Sequence, residues 1–299
     1  MNRKQMSPLV LIVDASPKPV LRRLLPPLTA MVIVLIAGAG MLLWQQHQQR
    51  LAGEIAADIH DASGDLRVAL DQQAVGLATA LQLIAADPGV QKALREGDAD
   101  RLLAAWRSVF ETLHRESHLT HFYFFDKNRV CLLRVHQPER RGDRIERFTA
   151  LEAERTGKTA SGIELGPLGT FTLRVVQPVF DGGTLVGYVE LGKEIEDVLQ
   201  TLHTRSSGNQ LAVIIRKKLL NRQSWEEGMR LLGREADWDR LPRSVVIYAF
   251  QGRLPDAFAL WADHFVDDHA NGETDREIAF DGKDWRVSAM PLQDASGAN

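Results

Sequence analysis

Apolar and polar residues alternate with a period of two along residues 170–180 and again along 185–191, with Asp181-Gly182-Gly183 between the two runs. That spacing predicts a β-hairpin closed by a tight turn. Three charged residues, Glu164, Arg174 and Glu190, fall inside or at the edge of these runs, where a purely structural sheet favours Thr or Tyr. Residues 121–125 and 130–135 are two further β-rich runs, joined by Asp126-Lys127-Asn128. A polar stretch at 137–143 and a helical pattern at 145–156 separate them from the hairpin.

Upstream the period lengthens. Leu51, Ile55, Ile59, Ala62, Leu66, Leu70, Leu77, Leu81 and Ile84 recur at steps of three, four or their multiples, which predicts a long stalk helix. About 40 residues of helix rise roughly 60 Å. Asp87-Pro88-Gly89 ends it, because the residue before proline avoids the α region. Helices are expected at 90–96 and 99–117, the second with an apolar face of Leu102, Leu103, Trp106, Phe110 and Leu113. After the hairpin come a connecting helix at 193–204 and a boundary at Ser206-Ser207-Gly208-Asn209.

The remainder reads as a second version of the same unit. It has a strand from Leu211, helices at 225–232 and 254–268, a strand at 244–248, and a hairpin on Asp281-Gly282. Pro178-Val179-Phe180-Asp181 and Pro291-Leu292-Gln293-Asp294 each follow a strand carrying an arginine, Arg174 or Arg286, a weak internal repeat. The last strand is expected to end near Leu292 and turn at 294–297, leaving this second module without its returning strand. The expected class is α+β, with antiparallel sheets in both modules.

The first residues change the setting. Residues 28–44 carry no charge, and the uncharged stretch runs from Leu24 to Gln46, long enough to cross a bilayer as a helix. Arg3, Lys4, Lys18, Arg22 and Arg23 precede it against Asp14 alone, which keeps the N-terminus cytoplasmic and exports the rest as a single-pass protein of the bacterial inner membrane. A cleaved signal peptide, with Ala37-Gly38-Ala39 as the cleavage site, is the rival reading; the apolar run continues past it through Trp44, which favours an uncleaved anchor. The division is then a cytoplasmic segment 1–27, an anchor 28–46, a stalk and helical segment 47–118, and modules at 119–205 and 206–299.

Composition narrows the chemistry. A net charge of −3 over 299 residues lacks the basic excess of a nucleic-acid partner, and the lone Cys131 excludes an intrachain disulfide. No haem-attachment, nucleophile-elbow or phosphate-loop motif occurs, so neither a catalytic residue nor a cofactor is assigned. His114, His118 and His121, with His136, have a spacing that a metal site can use, but a helix-to-strand transition scrambles their face, and no metal is assigned. Glu226-Glu227 beside Trp225 reads as a solvated helix face.

The tract LLRVHQPERRGDRIERFTALEAERTGKTASGIELGPLGTFTLRVVQPVFDGGTLVGYVELG, with its R-x-H-x-P…G-D…R and G-x-E-x-G…R…P segments, resembles the extracytoplasmic double Cache sensory domains of bacterial receptors. These precede histidine kinases, diguanylate cyclases and chemoreceptors. The resemblance implies two tandem PAS-like modules, a small-molecule ligand of open identity, and a homodimer through the stalk helix. It implies a ligand pocket between one sheet face and the segments packed over it. The candidate binding residues are then Arg134, His136 and Arg147 from the covering tract, with Glu164, Thr172, Arg174 and Gln177 from the strands; Arg140, Arg141 and Asp143 lie in the same tract. Thr172, Arg174 and Val176 share one strand face by period two. A buried arginine there needs a carboxylate partner, Glu164 or Asp143, or an anionic ligand. Two function classes follow: a receptor's sensing region, or a membrane-tethered binding protein with no signalling output of its own.

Overall fold

The computed structural model describes residues 20–166, 169–205, 210–231, 233–250, 252–265, 275–289 and 291–297. Arg3, Lys4, Asp14, Lys18 and the expected boundary at 206–209 lie outside them, as do the side chains of Arg22, Arg23, Leu51, Ile55, Ile59 and Ala62. The chain divides into two compact units, Met1–His60 and Asp61–Asn299.

The described part of the first unit is helical. Helix α1 runs Val20–Ala86, so it begins ahead of the expected anchor and includes Pro26 and Pro27. Thr29 Oγ1 donates to the carbonyls of Leu25 (3.0 Å) and Pro26 (2.9 Å), where the prolines disturb the helical ladder. Leu24–Arg50 has a mean hydropathy of 2.1 and is fully exposed, and it is long and apolar enough to cross a membrane. Gly64–Ala86 passes the same test at 1.2. Its Leu66, Leu70, Leu81 and Ile84 are buried in the second unit's cores, which explains its apolarity without a membrane.

In the second unit, α1 stops at Asp87, whose carboxylate accepts from Val90 N–H (3.0 Å) and caps α2 (Pro88–Glu96) with Pro88 in its first turn. Helix α3 (Ala99–Ser117) is capped in the same way by Asp98. A five-stranded antiparallel sheet follows, in the order β2-β1-β5-β4-β3. Its strands are β1 (Leu119–Asp126), β2 (Cys131–Arg134), β3 (Ala160–Leu165), β4 (Phe171–Asp181) and β5 (Thr184–Glu194). Helix α4 (Phe148–Thr156) starts three residues later than the expected 145, because Ile145 is tied by its N–H to the Arg129 carbonyl. Strand β5 reaches Glu194 instead of ending at 191, since Lys193 and Glu194 still pair with Leu173 and Thr172. The connecting helix α5 (Glu196–Arg205) therefore begins later than expected.

Alternation gives the sheet two different faces. Phe122, Phe124, Leu133, Val175, Val189 and Leu191 pack on one side against Leu81 and Ile84 of α1, Val90 and Leu94 of α2, and Leu102 of α3. The end of the long helix is thus part of the sheet's core. The opposite face is lined near its β1–β5 end by Tyr123, Phe125, Val176 and Tyr188 under Ile145, Ala150 and Ala153 of the tract leading into and along α4. Gly187 lies where an added Cβ would collide with the Phe125 backbone carbonyl, so this junction of β1 and β5 admits no side chain.

The second half is less regular. Strands β6 (Ala212–Arg216) and β7 (Ser244–Ala249) form one two-stranded ladder, and β8 (Asp275–Phe280) and β9 (Lys283–Ser288) another. Helices α6 (Arg222–Leu231) and α7 (Asp256–Phe265) accompany them. Among the described residues the two ladders do not join into one sheet, so the second half does not repeat the first strand for strand. Strand β9 ends at Ser288, short of the expected Leu292, and Pro291 has no N–H to continue a ladder. Pro178, its supposed counterpart, lies inside β4. Leu292 packs in a second core with Ile163, Leu173, Ile195, Trp225 and Ile247, and the Ala295 N–H donates to the Ile163 carbonyl of β3 (2.8 Å). That core joins the two halves.

The contrast along α1 makes its role measurable. Leu81 is fully buried and Leu83 is 73% exposed. Leu81→Ala is expected to lower stability by about 2–5 kcal/mol, and Leu83→Ala by under about 0.5 kcal/mol. Thermal melts of the two variants check this; equal shifts would show that the end of α1 does not belong to the core.

Candidate functional site

The charged residues that looked misplaced in the strands meet on one sheet face. Register sets Arg134 of β2 opposite Tyr123 of β1, Tyr123 opposite Glu190 of β5, and Glu164 of β3 opposite Thr172 of β4. Gly192 sits between His121 and Arg174, where a Cβ would come within 3.0 Å of His121 Cβ and 3.1 Å of Thr172 Cγ2. The missing side chain leaves the space that His121 and Thr172 occupy.

Glu190 is fully buried, and its two carboxylate oxygens are shared between two arginines: Arg174 at 2.7 Å and Arg147 at 2.5 Å. Glu164 takes the second position. Its Oε1 accepts from the Thr149 N–H at the start of α4 (2.7 Å), and its Oε2 lies 3.6 Å from Arg147 Nε and 3.7 Å from Arg174 Nε. The carboxylate therefore caps α4, which lacks a side-chain cap of its own. Arg134 is held separately by a two-pronged pair with Asp143 (2.7 Å each) and by the Arg140 carbonyl (2.5 Å). Arg134 and Arg147 both lie over the Tyr123 ring, at 5.2 and 5.0 Å. The partner expected for Arg174 was Glu164 or Asp143; Glu190 is the closer one, Glu164 stands at longer range, and Asp143 belongs to Arg134.

Burial opposes the charge on Glu190, yet the guanidiniums of Arg147 and Arg174 hold its carboxyl below the usual range. Burial pushes Glu164 up, against the Thr149 N–H and Arg174. Glu194, at the end of β5, accepts from Thr172 Oγ1 (3.1 Å) and is pushed up to about 7 by burial and then by the charge of Glu196. Burial lowers His121, helped by Arg174, and lowers His136 to about 4. The two imidazoles pack edge to face at 5.0 Å. The polar atoms buried without a hydrogen-bond partner among the described residues include Arg147 Nε, Arg174 Nε and Glu164 Oε2. Both guanidinium N–H groups converge on that one carboxylate oxygen.

The sequence-derived residues Arg134, His136, Arg147, Glu164, Thr172 and Arg174 are thus gathered on this face or in the tract over it. Gln177 is not. It lies on the opposite side of the sheet by alternation with Val175 and Val179, and its side chain accepts from Thr159 Oγ1. Arg141 is exposed. Tyr123, Glu190 and Glu194 were missing from the candidates, although the spacing 188, 190, 192, 194 places the two glutamates on one side of β5. Arg129 was missed as well: it is buried and ties the tract down through the Ile145 carbonyl (2.6 Å), Glu146 (3.2 Å) and Glu154 (2.9 Å). Its signal is absent from the sequence because it lies in a turn. His114, His118 and His121 take separate partners: the Leu119 carbonyl, Asp197 and Thr120. Among the described residues no three His, Cys, Asp or Glu side chains are grouped to hold a metal ion.

Glu194 gives a pH signature. Its carboxyl binds a proton more tightly in the folded protein, near pH 7, than the ordinary 4.5, so its contribution favours folding at low pH and is lost as pH rises through 7. His136, pushed down to about 4, and His121, also pushed down and 3.7 Å from the Glu194 carboxylate, act in the opposite sense as pH falls below 6.5, so the comparison at pH 8, where both imidazoles are neutral, isolates Glu194. At about 1.4 kcal/mol per pKa unit, the charged Glu194 costs on the order of 3 kcal/mol. Glu194→Gln is expected to melt roughly 5 °C above the parent at pH 8 and close to it at pH 5. A constant gap across that range would remove Glu194 as the titrating group.

Comparison with known proteins identifies the family of the chain. No match to a curated protein was found. Solved structures similar to this chain include the Escherichia coli DcuS sensor domain, at 19% identity and a TM-score of 0.39, covering 46% of this chain and 98% of that one. The Vibrio cholerae histidine kinase DctB sensor domain matches at 15% identity and a TM-score of 0.43, covering 56% of this chain and 64% of that one. The ligand-binding domain of the Campylobacter jejuni chemoreceptor Tlp3, in complex with 4-methylisoleucine, matches at 16% identity and a TM-score of 0.37, covering 53% and 66%. The family model described as "Double sensory domain of two-component sensor kinase" matches residues 55–299, and the chain belongs to this double Cache family.

Proposed function

We infer that this chain is the membrane-anchored, extracytoplasmic sensing region of a bacterial signal-transduction receptor, and that it binds a small anionic molecule on the charged face of the five-stranded sheet. The observation that carries the reading is the convergence of two buried, unpartnered guanidinium N–H groups, of Arg147 and Arg174, on a single oxygen of Glu164. A ligand carboxylate can take the place of that oxygen and satisfy both donors with charge-assisted bonds. Glu164 would then release the start of α4, so occupancy and the position of α4 are linked through one side chain. Arg134, His136 and Thr172 complete the surrounding wall. The apolar Leu24–Arg50 segment supports the anchor, with the N-terminus inside and the remainder outside.

The same reading includes a homodimer through the stalk. Val68, Val75 and Leu83 of α1 are 54%, 67% and 73% exposed, and steps of seven and eight residues keep them within one side of a helix. A second copy of the helix would cover them.

Two outcomes test these claims. Thermal melts at about 10 mM of individual C2–C6 mono- and dicarboxylates and α-amino acids are expected to find stabilisation by at least one of them; a ligand at 100 times its dissociation constant contributes about 2.7 kcal/mol. Arg147→Ala should remove that stabilisation and leave a cooperative melt, because Glu190 keeps Arg174. Arg174→Ala is a poorer probe, since the Arg174 side chain is more deeply buried than that of Arg147 (2% against 19% exposed) and its loss is expected to cost about 3–5 kcal/mol of folding stability. Stabilisation that survives in Arg147→Ala, or no stabilisation by any compound, would refute the site. For the dimer, Val75→Cys in membranes is expected to give a disulfide-linked species under mild oxidation; Cys131 is buried and supplies the background control. Failure to cross-link at 68, 75 and 83 alike would reject the stalk interface.

A further inference from the structure

Strand β3 is an edge of the five-stranded sheet, and residues 292–297 wrap around it. Leu292 packs with Ile163 and Leu173 on one side of the strand. The Ala295 N–H donates to the Ile163 carbonyl at the edge itself (2.8 Å). Past the edge, the Ala295 methyl lies over Gly162, where an added Cβ would stand 2.5 Å from Ala295 Cβ. Gly162 is two residues from Ala160 and two from Glu164, so by alternation all three face the charged side. The segment therefore crosses from the face that packs on Leu66 and Leu70 of α1 to the face that carries the arginines. A turn fixes its tip. The Asp294 carboxylate accepts from the Ser296 N–H (2.8 Å) and hydroxyl (2.6 Å), and the Asp294 carbonyl accepts from the Gly297 N–H (3.0 Å).

Glycine at 162 is what admits this crossing. It pairs across the ladder with Arg174, so the Ala295 methyl sits next to the strand positions of both Arg174 and Glu164. A Glu164 carboxylate turned away from the α4 N–H and the two guanidiniums has few places to go. Across the ladder stands Thr172, whose hydroxyl is already given to Glu194 (3.1 Å), a second carboxylate. Farther back along β3, Ala160 is packed with Ala150 and Ala153. Between them, the place over Gly162 is filled by the Ala295 methyl. A released Glu164 side chain and Ala295 thus compete for one space.

We propose that residues 292–297 form a strap that reports the position of Glu164. The strap is seated on β3 while Glu164 caps α4, and it is displaced when that side chain swings over Gly162. The proposal rests on the ligand site inferred above and gives that site an output. An anion that takes the place of the Glu164 carboxylate also unseats the strap, and with it Leu292, from the core shared with α1. Two groups that cannot occupy one close-packed space make the linkage two-state.

The test needs no ligand. Residue-resolved hydrogen–deuterium exchange of the full chain in nanodiscs reads the Ala295 amide, with the β4–β5 ladder as the reference for global opening. Thr149→Pro withdraws the N–H that holds Glu164, in the first turn of a helix, where proline is tolerated. Glu164→Gln removes the charge that the guanidiniums attract and keeps the length. Each is expected to speed exchange at Ala295 by roughly tenfold while the reference stays unchanged. Glu164→Ala leaves nothing to compete for the space, so it should exchange at the parent rate, alone or combined with Thr149→Pro. A merely structural role predicts the reverse order, since truncating a buried side chain disturbs packing more than an isostere does. If Thr149→Pro opens the reference ladder too, Glu164→Gln against Glu164→Ala decides. Unchanged exchange in the release variants, or equal acceleration in Glu164→Ala, overturns the strap. Neither result bears on anion binding, which the melts of Arg147→Ala decide separately.

Discussion

The carboxylate of Glu190, held between the guanidiniums of Arg147 and Arg174, is the interaction on which the polar side of the sheet depends. A fully buried carboxylate without partners would be driven to its neutral form, and two arginines beside it without a carboxylate would repel one another. Together they neutralise, and in doing so they join β4, β5 and the tract that leads into α4. Glu164 adds a second link by capping α4 from β3. The cover over this face is attached by charge more than by apolar area, since only its half over Tyr188 and Val176 is a hydrocarbon core.

The two faces of the sheet consequently differ in what can change. On the helical face, interlocked Leu, Val and Phe side chains admit few alternatives at close-packed density. On the charged face, arginine and glutamate have long side chains, several oxygens and nitrogens, and exchangeable partners. Titratable groups are concentrated there, with Glu194 raised and His121 and His136 lowered by the same burial. Perturbed ionisation at a closed polar cluster is the usual mark of a functional site, although structural ion pairs produce it too.

The second half is joined to this sheet through a shared core, with Ile163 and Leu173 on one side and Trp225 and Ile247 on the other. Ile195 and Val198, in that core, follow directly from the strand that carries Glu190 and Glu194. Glu196 continues the connection by its pair with Arg234 in the second half. A short run of chain thus touches the charged cluster at one end and the second half at the other.

Periodicity alone determined much of this. The apolar run at Leu24–Arg50, the three-four stripe of α1, the proline stop at Asp87-Pro88 and the hairpin at Asp181-Gly182-Gly183 are local signals, each legible from residues close in sequence. Alternation also determined that Thr172, Arg174 and Val176 share a face, and the same rule, applied to Gln177, would have placed it on the other side. Pairing was another matter. That Arg174 meets Glu190 follows from the register of β4 with β5, and that Arg147 joins them follows from the path of the tract over the sheet; neither is a property of local sequence. Arg134 took Asp143 instead, nine residues away in a loop whose course no periodicity describes. The second half was least legible because β6 finds its partner β7 only beyond α6, and Pro291 diverts the chain toward β3. Side-chain types announced that charges would be buried; only the tertiary structure decided which charge neutralises which, because a Coulomb partner is chosen by distance in space.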